Sequence, residues 1–268
     1  MPTFVRSNGI ELHYEDRGVG QPLLFLHGCW CSSVFFDAQA RELSARYRVL
    51  RLDFRGHGLS AGVQDGLTVG VYADDLREFL TRLDVSPVVI GWSMGALVIW
   101  EYHRLFQSDR IRGAVVVDQS ASDFRWPDWP LAFAGLNELQ GLMERIQVER
   151  EALVGEITDA MFATPPSPET KSWAVAELLR PTPAAAASIL FDQTLRDYRS
   201  TLPTFTTRTL VCFGRDEKIM PVALGRHLAD TMPNASLEIF ENSGHCPFLE
   251  ETETFNKALV AFVDTLRS

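Results

Sequence analysis

One serine of this sequence stands in a pattern that suits nucleophilic chemistry. Residues 91–95 read Gly-Trp-Ser-Met-Gly, with a short apolar run at 87–90 before them and a longer apolar stretch at 96–106 after them. A strand that turns sharply into a helix holds the serine in strained backbone, and the glycines let the two segments pass closely. The pattern predicts that Ser93 points its hydroxyl outward, with free N–H groups of the following helix directed at any negative charge formed there.

A serine hydroxyl is a weak nucleophile at neutral pH, so a base must remove its proton and an acid must orient that base. Of the six histidines, His245 is the preferred base because it lies in a loop just after the last predicted strand. His27 and His57 lie in glycine-flanked loops and are expected to build the floor of the pocket. The other three histidines are interpreted as ordinary side chains of strands or helices.

Strand and helix patterns alternate in the first and last thirds of the chain and predict the elements that position these groups. Strands are predicted at residues 10–14, 22–26, 47–52, 87–90, 111–117, 209–213 and 236–240. Helices are predicted at 71–83, 96–106, 221–232 and 251–266. This alternation favours a mostly parallel sheet with helices on both faces, an architecture that binds ligands at the carboxyl ends of its strands.

The segment from 122 to 203 interrupts the alternation. It contains no convincing strand, and helical stretches are predicted at 131–148, 150–162, 172–179 and 184–198, with prolines between them. We interpret this segment as an inserted helical module that lies over a completed sheet.

Five motifs occur along the chain in a fixed order. They are His27-Gly28, the run DFRGHGLS at 53–60, the serine turn at 91–95, the run GRDEKIMP at 214–221, and Ser243-Gly244-His245. Together they resemble the α/β-hydrolase family, particularly its haloperoxidase-like serine esterases, lactonases and carbon–carbon hydrolases. The resemblance implies an α/β fold with a mostly parallel eight-stranded sheet flanked by helices. Residues 1–121 and 204–268 would form this core, and residues 122–203 a helical cap.

The acid that orients the base is expected within the run at 214–221. Counting from the glycine and the proline that bound this run places Glu217 where similar proteins usually carry Asp. Asp216 is its neighbour, and only one of the two is expected to face His245, because adjacent residues of an extended turn point in opposite directions. Glu217 is preferred, while Asp216 stays open, and so does Asp118 at the end of the predicted strand 111–117.

The remaining site residues are assigned by their positions beside these motifs. The backbone N–H groups of Cys29 and Met94 are the candidate donors of an oxyanion hole, because similar proteins supply donors from these two loops. Trp30, Trp92 and Trp126 are candidate substrate contacts in a pocket that is expected to be aromatic.

Composition excludes several classes of function. The chain has 268 residues, 46% of them hydrophobic and 22% charged, which is typical of a globular protein. A net charge of −10 without a Lys/Arg run argues against nucleic acid as a partner. No signal peptide and no run of about 18 apolar residues is seen, so we expect a cytoplasmic protein without a membrane partner. The four cysteines lack the spacing of a zinc site, and we expect reduced thiols and no metal or cofactor.

These features predict a cofactor-free serine hydrolase that cleaves an ester, lactone or related carbonyl compound of moderately apolar character. Carbon–carbon bond hydrolysis, perhydrolysis and acyl transfer use the same groups, and the sequence does not separate them. The alternative class is a small-molecule receptor on the same fold with slow or vestigial hydrolysis. Dehalogenase and epoxide hydrolase chemistry is disfavoured, because similar enzymes of those classes carry Asp where this chain has Ser93. Monomer and homodimer both stay open.

Overall fold

The computed structural model describes residues 3–266 of the chain. The strands within this range form a single eight-stranded sheet. Its strands are β1 (Thr3–Val5), β2 (Glu11–Arg17), β3 (Pro22–Leu26), β4 (Arg48–Leu52), β5 (Val88–Trp92), β6 (Gly113–Val117), β7 (Thr209–Gly214) and β8 (Ala235–Phe240). They are ordered β1-β2-β4-β3-β5-β6-β7-β8. The β1–β2 and β2–β4 pairs are antiparallel and the other pairs are parallel. The predicted α/β fold class is thus confirmed.

Helices connect the strands and cover both faces of the sheet. They are α1 (Asp37–Leu43), α2 (Val69–Leu83), α3 (Met94–Phe106), α4 (Leu136–Val148), α5 (Arg150–Ala160), α6 (Pro168–Leu178), α7 (Pro183–Thr194), α8 (Val222–Thr231), α9 (Pro247–Glu250) and α10 (Thr252–Thr265). Helix α2 packs on α3, and α1 packs on α10. Across residues 3–266, no helix combines the length and apolar character needed to cross a membrane.

The central strands are buried because their sequences are almost continuously apolar. Strand β3 reads PLLFL, and β5 and β6 are buried at every position. In the parallel ladder Phe25 of β3 is paired with Ile90 of β5. This is the pattern of strands covered by helices on both faces. The carboxyl ends of β5, β6 and β7 therefore lie side by side at one edge, where the serine turn and the acid loop begin.

Four helices, α4 to α7, lie between β6 and β7, and three of their boundaries differ from the prediction by four or five residues. Helix α4 begins at Leu136 rather than at 131, because Gly135 caps it in extended backbone and donates its N–H to Glu138 Oε2 at 3.2 Å. Helix α6 begins at Pro168 rather than at 172, because Ser167 caps it and accepts the N–H of Thr170 at 3.1 Å. Helix α7 is capped by Thr182 and ends at Thr194 rather than at 198. The division into a core and a cap at 122–203 stays a prediction.

Candidate active site

The nucleophile candidate stands on the turn that joins β5 to α3. Ser93 has φ 52° and ψ −122°, and its N–H donates to Val117 O at 2.9 Å. A non-glycine residue in this region is strained, and such strain is typical of functional sites. The flanking glycines are required sterically. A Cβ on Gly91 would lie 2.6 Å from the carbonyl carbon of Gly95, and one on Gly95 would lie 2.3 Å from Leu26 O.

This crowding gives a stability prediction. Gly95→Ala is expected to lower the free energy of unfolding by about 1–3 kcal/mol, because the new methyl group would overlap the carbonyl of Leu26. Gly155→Ala is the matched control, since a Cβ on Gly155 in α5 would have nothing within 4 Å. The control is expected to raise the free energy of unfolding by about 0.5–1 kcal/mol. Urea titration measures both, and equal effects would contradict the steric assignment.

The base candidate lies in the loop after β8 and is almost completely buried. His245 donates its backbone N–H to Met161 O at 2.9 Å, and its carbonyl accepts the indole N–H of Trp92 at 2.8 Å. Its Nδ1 is in hydrogen-bond contact with Glu217 Oε2. Because an ionised carboxylate only accepts hydrogen bonds, Nδ1 carries the proton and Nε2 is left as the acceptor.

The acid loop after β7 points its two carboxylates in opposite directions. The side chain of Glu217 is fully buried, with Oε1 accepting the N–H of Ile219 and Oε2 in contact with His245. Asp216 is exposed to solvent, and its N–H donates to Ser243 O at 3.0 Å. The carboxylate in contact with the histidine is therefore that of Glu217.

Asp118, the third acid candidate, lies behind Glu217 at the end of β6. It is buried with φ 43°, and its Oδ1 accepts the N–H of Gly214 at 3.1 Å. Burial, together with the charge of Glu217, raises the pKa of Asp118 well above its usual range. The raised pKa favours the neutral form of the Asp118 carboxyl over a second negative charge beside Glu217.

Asp118, Glu217 and His245 also hold donor atoms that all lie within 4.8 Å of one another, a spacing that suits a metal ion. The direct contact of His245 Nδ1 with Glu217 Oε2 leaves no space for an ion between those two atoms. The hydrogen bond between Glu217 and His245, and that from the Gly214 N–H to Asp118 Oδ1, account for the arrangement.

Two backbone N–H groups beside Ser93 are uncommitted. Across residues 3–266, neither Cys29 nor Met94 donates its N–H to another group. Met94 is the first residue of α3, where the helix dipole adds positive potential. Cys29 precedes Trp30, which has φ 61° and donates its indole N–H to Ala186 O at 3.0 Å. Both donors are thus positioned by a helix start and an anchored loop.

The side chains of His27 and His57 are buried and form hydrogen bonds with the backbone of the loops that carry them. His27 donates from Nδ1 to Gly28 O at 2.8 Å and accepts the N–H of Phe54 on Nε2 at 3.1 Å. Burial lowers the pKa of His27 to about 4 and that of His57 to about 3. Both rings are therefore neutral at neutral pH, and His27 orders the loop that carries Cys29.

A cavity of about 500 Å³ opens over the serine. Ser93 and His245 both line it, and so do Trp30 and Trp92. No hydrogen bond joins Ser93 Oγ to His245 in the described range 3–266. Catalytic hydrogen bonds are often long without substrate and tighten when it binds. Trp126 is not brought to the cavity. Its indole N–H donates to Ser122 Oγ at 3.0 Å.

The roof of the cavity comes from residues that the sequence did not single out. Apolar side chains of α4 to α7 and of the loops beside them form most of it: Phe133, Leu142, Leu153, Ile157, Ala160, Met161, Leu178 and Leu190. Arg145, Glu156 and Gln193 are polar members of the same lining. Helical periodicity shows that such helices have an apolar face, but it does not tell which part of that face borders a cavity.

The end of α5 is joined to the base loop and the acid loop. Besides the bond from His245 to Met161 O, the N–H of Ala163 donates to Glu250 Oε1 at 2.8 Å. The ammonium of Lys218 donates to Ala163 O at 3.0 Å. The roof is therefore tied to both loops that carry the imidazole and its acid.

Comparisons with known proteins agree with this architecture. The sequence model of a family described as "Alpha/beta hydrolase family" matches residues 23–258. The chain is 28% identical to the non-heme chloroperoxidase CPO-A1 of Kitasatospora aureofaciens, over 98% of this chain and 100% of that protein. An esterase (EaEST) from Exiguobacterium antarcticum has the same fold, with a TM-score of 0.93, 23% identity and 99% of each chain covered. The esterase RhEst1 from Rhodococcus sp. ECU1013 matches with a TM-score of 0.85 and 25% identity, over 99% of this chain and 98% of that one.

Proposed function

The chain belongs to the alpha/beta hydrolase family, in its haloperoxidase-like esterase branch, and from that premise we propose that it hydrolyses carboxylic esters through an acyl-enzyme on Ser93. One observation carries the proposal. The imidazole of His245 is oriented by Glu217 through Nδ1 and lines the same cavity as the strained Ser93. This is the arrangement that proton transfer from a serine to a histidine requires.

The proposed reaction has two halves. Ser93 Oγ attacks the ester carbonyl carbon while His245 Nε2 takes the hydroxyl proton, and the oxyanion that forms accepts hydrogen bonds from the N–H groups of Cys29 and Met94. The tetrahedral intermediate collapses, and the leaving alkoxide takes the proton from His245. A water molecule then gives its proton to His245 and attacks the acyl carbon. The second tetrahedral intermediate collapses by breaking the bond from the acyl carbon to Ser93 Oγ, which takes the proton back from His245, and the carboxylic acid is released.

The cavity supports a moderately apolar small substrate. Most of its lining is apolar, and its polar groups cluster at the serine and at a few roof positions. An ester or a lactone of this character fits the chemistry equally well. Cleavage of an activated carbon–carbon bond, perhydrolysis and acyl transfer would use the same acyl-enzyme with another substrate or acceptor.

The helices between β6 and β7 support the proposal that residues 122–203 act as a cap. Side chains of α4, α5, α6 and α7 roof the cavity, while the serine turn and the loops after β3, β6, β7 and β8 form its floor and walls. A substrate would thus be enclosed between the two parts, which excludes water from the developing oxyanion.

Turnover of simple esters tests the proposal. The purified protein is expected to release p-nitrophenol continuously from p-nitrophenyl acetate and p-nitrophenyl butyrate, because His245 regenerates the serine after each acylation. Absorbance of p-nitrophenolate follows the reaction. Release of a single equivalent per chain, with no further turnover, would favour the receptor alternative instead.

A further inference from the structure

A second carboxyl group lies in the cavity and takes no part in the proposed reaction. Asp123 follows β6, is 1% exposed and lines the cavity together with Ser93 and His245. Its backbone is fixed, because its carbonyl accepts the N–H of Ala134 at 3.0 Å. The position of the carboxyl is therefore set by the fold and not by solvent.

The two oxygens of this carboxyl differ. Oδ1 accepts the amide N–H of Gln119 at 2.6 Å, whereas Oδ2 accepts no hydrogen bond from any residue in 3–266. No Lys or Arg within that range forms an ion pair with Asp123, and the titratable group that lowers its pKa is His245. Asp123 Oδ2 is not among the fully buried oxygens without a partner, so it keeps access to the cavity that Asp123 lines. A ligand that displaces water from this cavity would leave the oxygen unpaired unless the ligand brings its own donor, which is unfavourable.

The ionisation of Asp123 agrees with this reading. Burial raises its pKa from 3.8 to about 7, against the lowering effects of Gln119 and His245. The carboxyl is therefore neutral below about pH 7 and ionised above it. The titratable groups that interact with Asp123 are His245 and the thiol of Cys29. Further charged groups line the same cavity: Arg145, Glu156 and Lys218.

We propose that Asp123 determines substrate specificity by accepting a hydrogen bond on Oδ2 from a hydroxyl or ammonium group of the ester, close to the scissile carbonyl. This inference rests on the proposed esterase function. Around Asp123 the cavity is mainly apolar, so a substrate without a donor would leave the carboxylate unpaired. Sites of this kind discriminate strongly against analogues that lack the polar group.

Matched methyl esters test the assignment. One series is methyl isobutyrate, methyl lactate and methyl alaninate, and the other is methyl isovalerate, methyl β-hydroxybutyrate and methyl β-aminobutyrate. Within a series the size is nearly constant and only a methyl, hydroxyl or ammonium group changes. Hydrolysis is followed by titration of the released acid, and kcat/KM is compared between wild type, Asp123→Leu and Asp123→Asn.

In at least one series, Asp123→Leu is expected to lower the hydroxyl-to-methyl ratio of kcat/KM by about tenfold or more. Comparing ratios between proteins cancels the intrinsic reactivity of each ester. Asp123→Asn keeps an acceptor oxygen, so it should retain part of the hydroxyl preference and lose the ammonium preference. Comparing Asp123→Asn with Asp123→Leu therefore shows whether the preferred group on the substrate is a hydroxyl or an ammonium. Unchanged ratios in both series would overturn the proposal and leave Asp123 as a structural partner of Gln119.

The pH dependence of substrate preference gives a second test, because a purely structural role of Asp123 would not change it. The ratio of kcat/KM for methyl β-aminobutyrate to that for methyl isovalerate is expected to rise as pH increases through about 7, where Asp123 becomes ionised. The contribution of the base cancels in this ratio, because both esters need His245 in the same role. A ratio that is flat with pH in wild type, or equally steep in Asp123→Asn, would contradict the assignment.

Failure of the proposed esterase function can be distinguished from failure of the proposed role of Asp123. If wild type hydrolyses none of the esters, the proposed function fails, and calorimetric binding of the same esters to Ser93→Ala still tests Asp123. Tighter binding of the hydroxyl ester than of its methyl analogue, lost in the Ser93→Ala/Asp123→Leu double variant, would support the specificity role. Equal binding of both esters would overturn it.

Discussion

Replacing Ser93 by alanine is expected to lower kcat for p-nitrophenyl butyrate by a factor of about 10⁴–10⁶. The variant keeps the Cβ and the backbone position at φ 52° but has no oxygen to attack the carbonyl. His245 and the N–H groups of Cys29 and Met94 stay in place, so any residual rate reflects water acting in a preorganised site. Steady-state release of p-nitrophenol measures the loss.

The control for this variant is Ser188→Ala, the same chemical change at an exposed position of α7. Wild-type kcat is expected there. Thermal unfolding of both variants should stay close to wild type, because neither change creates a buried cavity of more than a hydroxyl. If Ser93→Ala folds normally and keeps most of its activity, the acyl-enzyme mechanism is wrong.

Glu217→Gln is expected to lower kcat by a factor of about 10³–10⁴ at neutral pH. The N–H of Ile219 holds one side-chain oxygen of residue 217, so the amide would turn its oxygen to Ile219 and its NH₂ to His245. The imidazole would then accept on Nδ1 and carry its proton on Nε2. In that tautomer it cannot take the proton of Ser93.

Two matched amide variants complete this series. Asp216→Asn is expected to keep wild-type kcat, because the Asp216 side chain is exposed. Asp118→Asn should lower kcat by less than about tenfold, since an amide oxygen can still accept the N–H of Gly214 that Asp118 Oδ1 accepts. If Glu217→Gln stays active and one of the two Asp→Asn variants loses most of its kcat, the acid that orients His245 is the Asp replaced in that variant. Activity measured across pH, with unfolding by urea, separates chemical from structural loss.

The sequence predicted the central sheet well because its strands are apolar on both faces. The bounds of β3 agree with the predicted 22–26, and both ends of α2 and α3 fall within two residues of the prediction. The short edge strand β1 and helix α1 were not predicted. Strand β1 has only three residues with exposed ends, and α1 reads DAQAREL, which carries too few apolar side chains for a periodic signal.

The candidate site was predictable to the extent that motifs fix backbone position. Glycine spacing marks the turn at Ser93, and counting within the run at 214–221 singles out Glu217. The family assignment and the hydrolase class are confirmed by the match over residues 23–258. Trp126 was expected to contact substrate, but an indole hydrogen bond to Ser122 directs it elsewhere. The free oxygen of Asp123 depends on long-range packing, which no local pattern reports.

The hydrogen bonds at the end of α5 constrain how this protein can be recombined with its relatives. The backbone N–H of His245 donates to Met161 O. Ala163 donates its N–H to Glu250, and its carbonyl accepts a hydrogen bond from the ammonium of Lys218. A chimera whose imported helices change the backbone path across this joint would move the Met161 carbonyl out of reach of the His245 N–H. Grafts that exchange the roof helices to change substrate range should therefore end before Met161 or begin after Ala163. Residues 161–163 then come from the same protein as the histidine loop to which they are hydrogen-bonded.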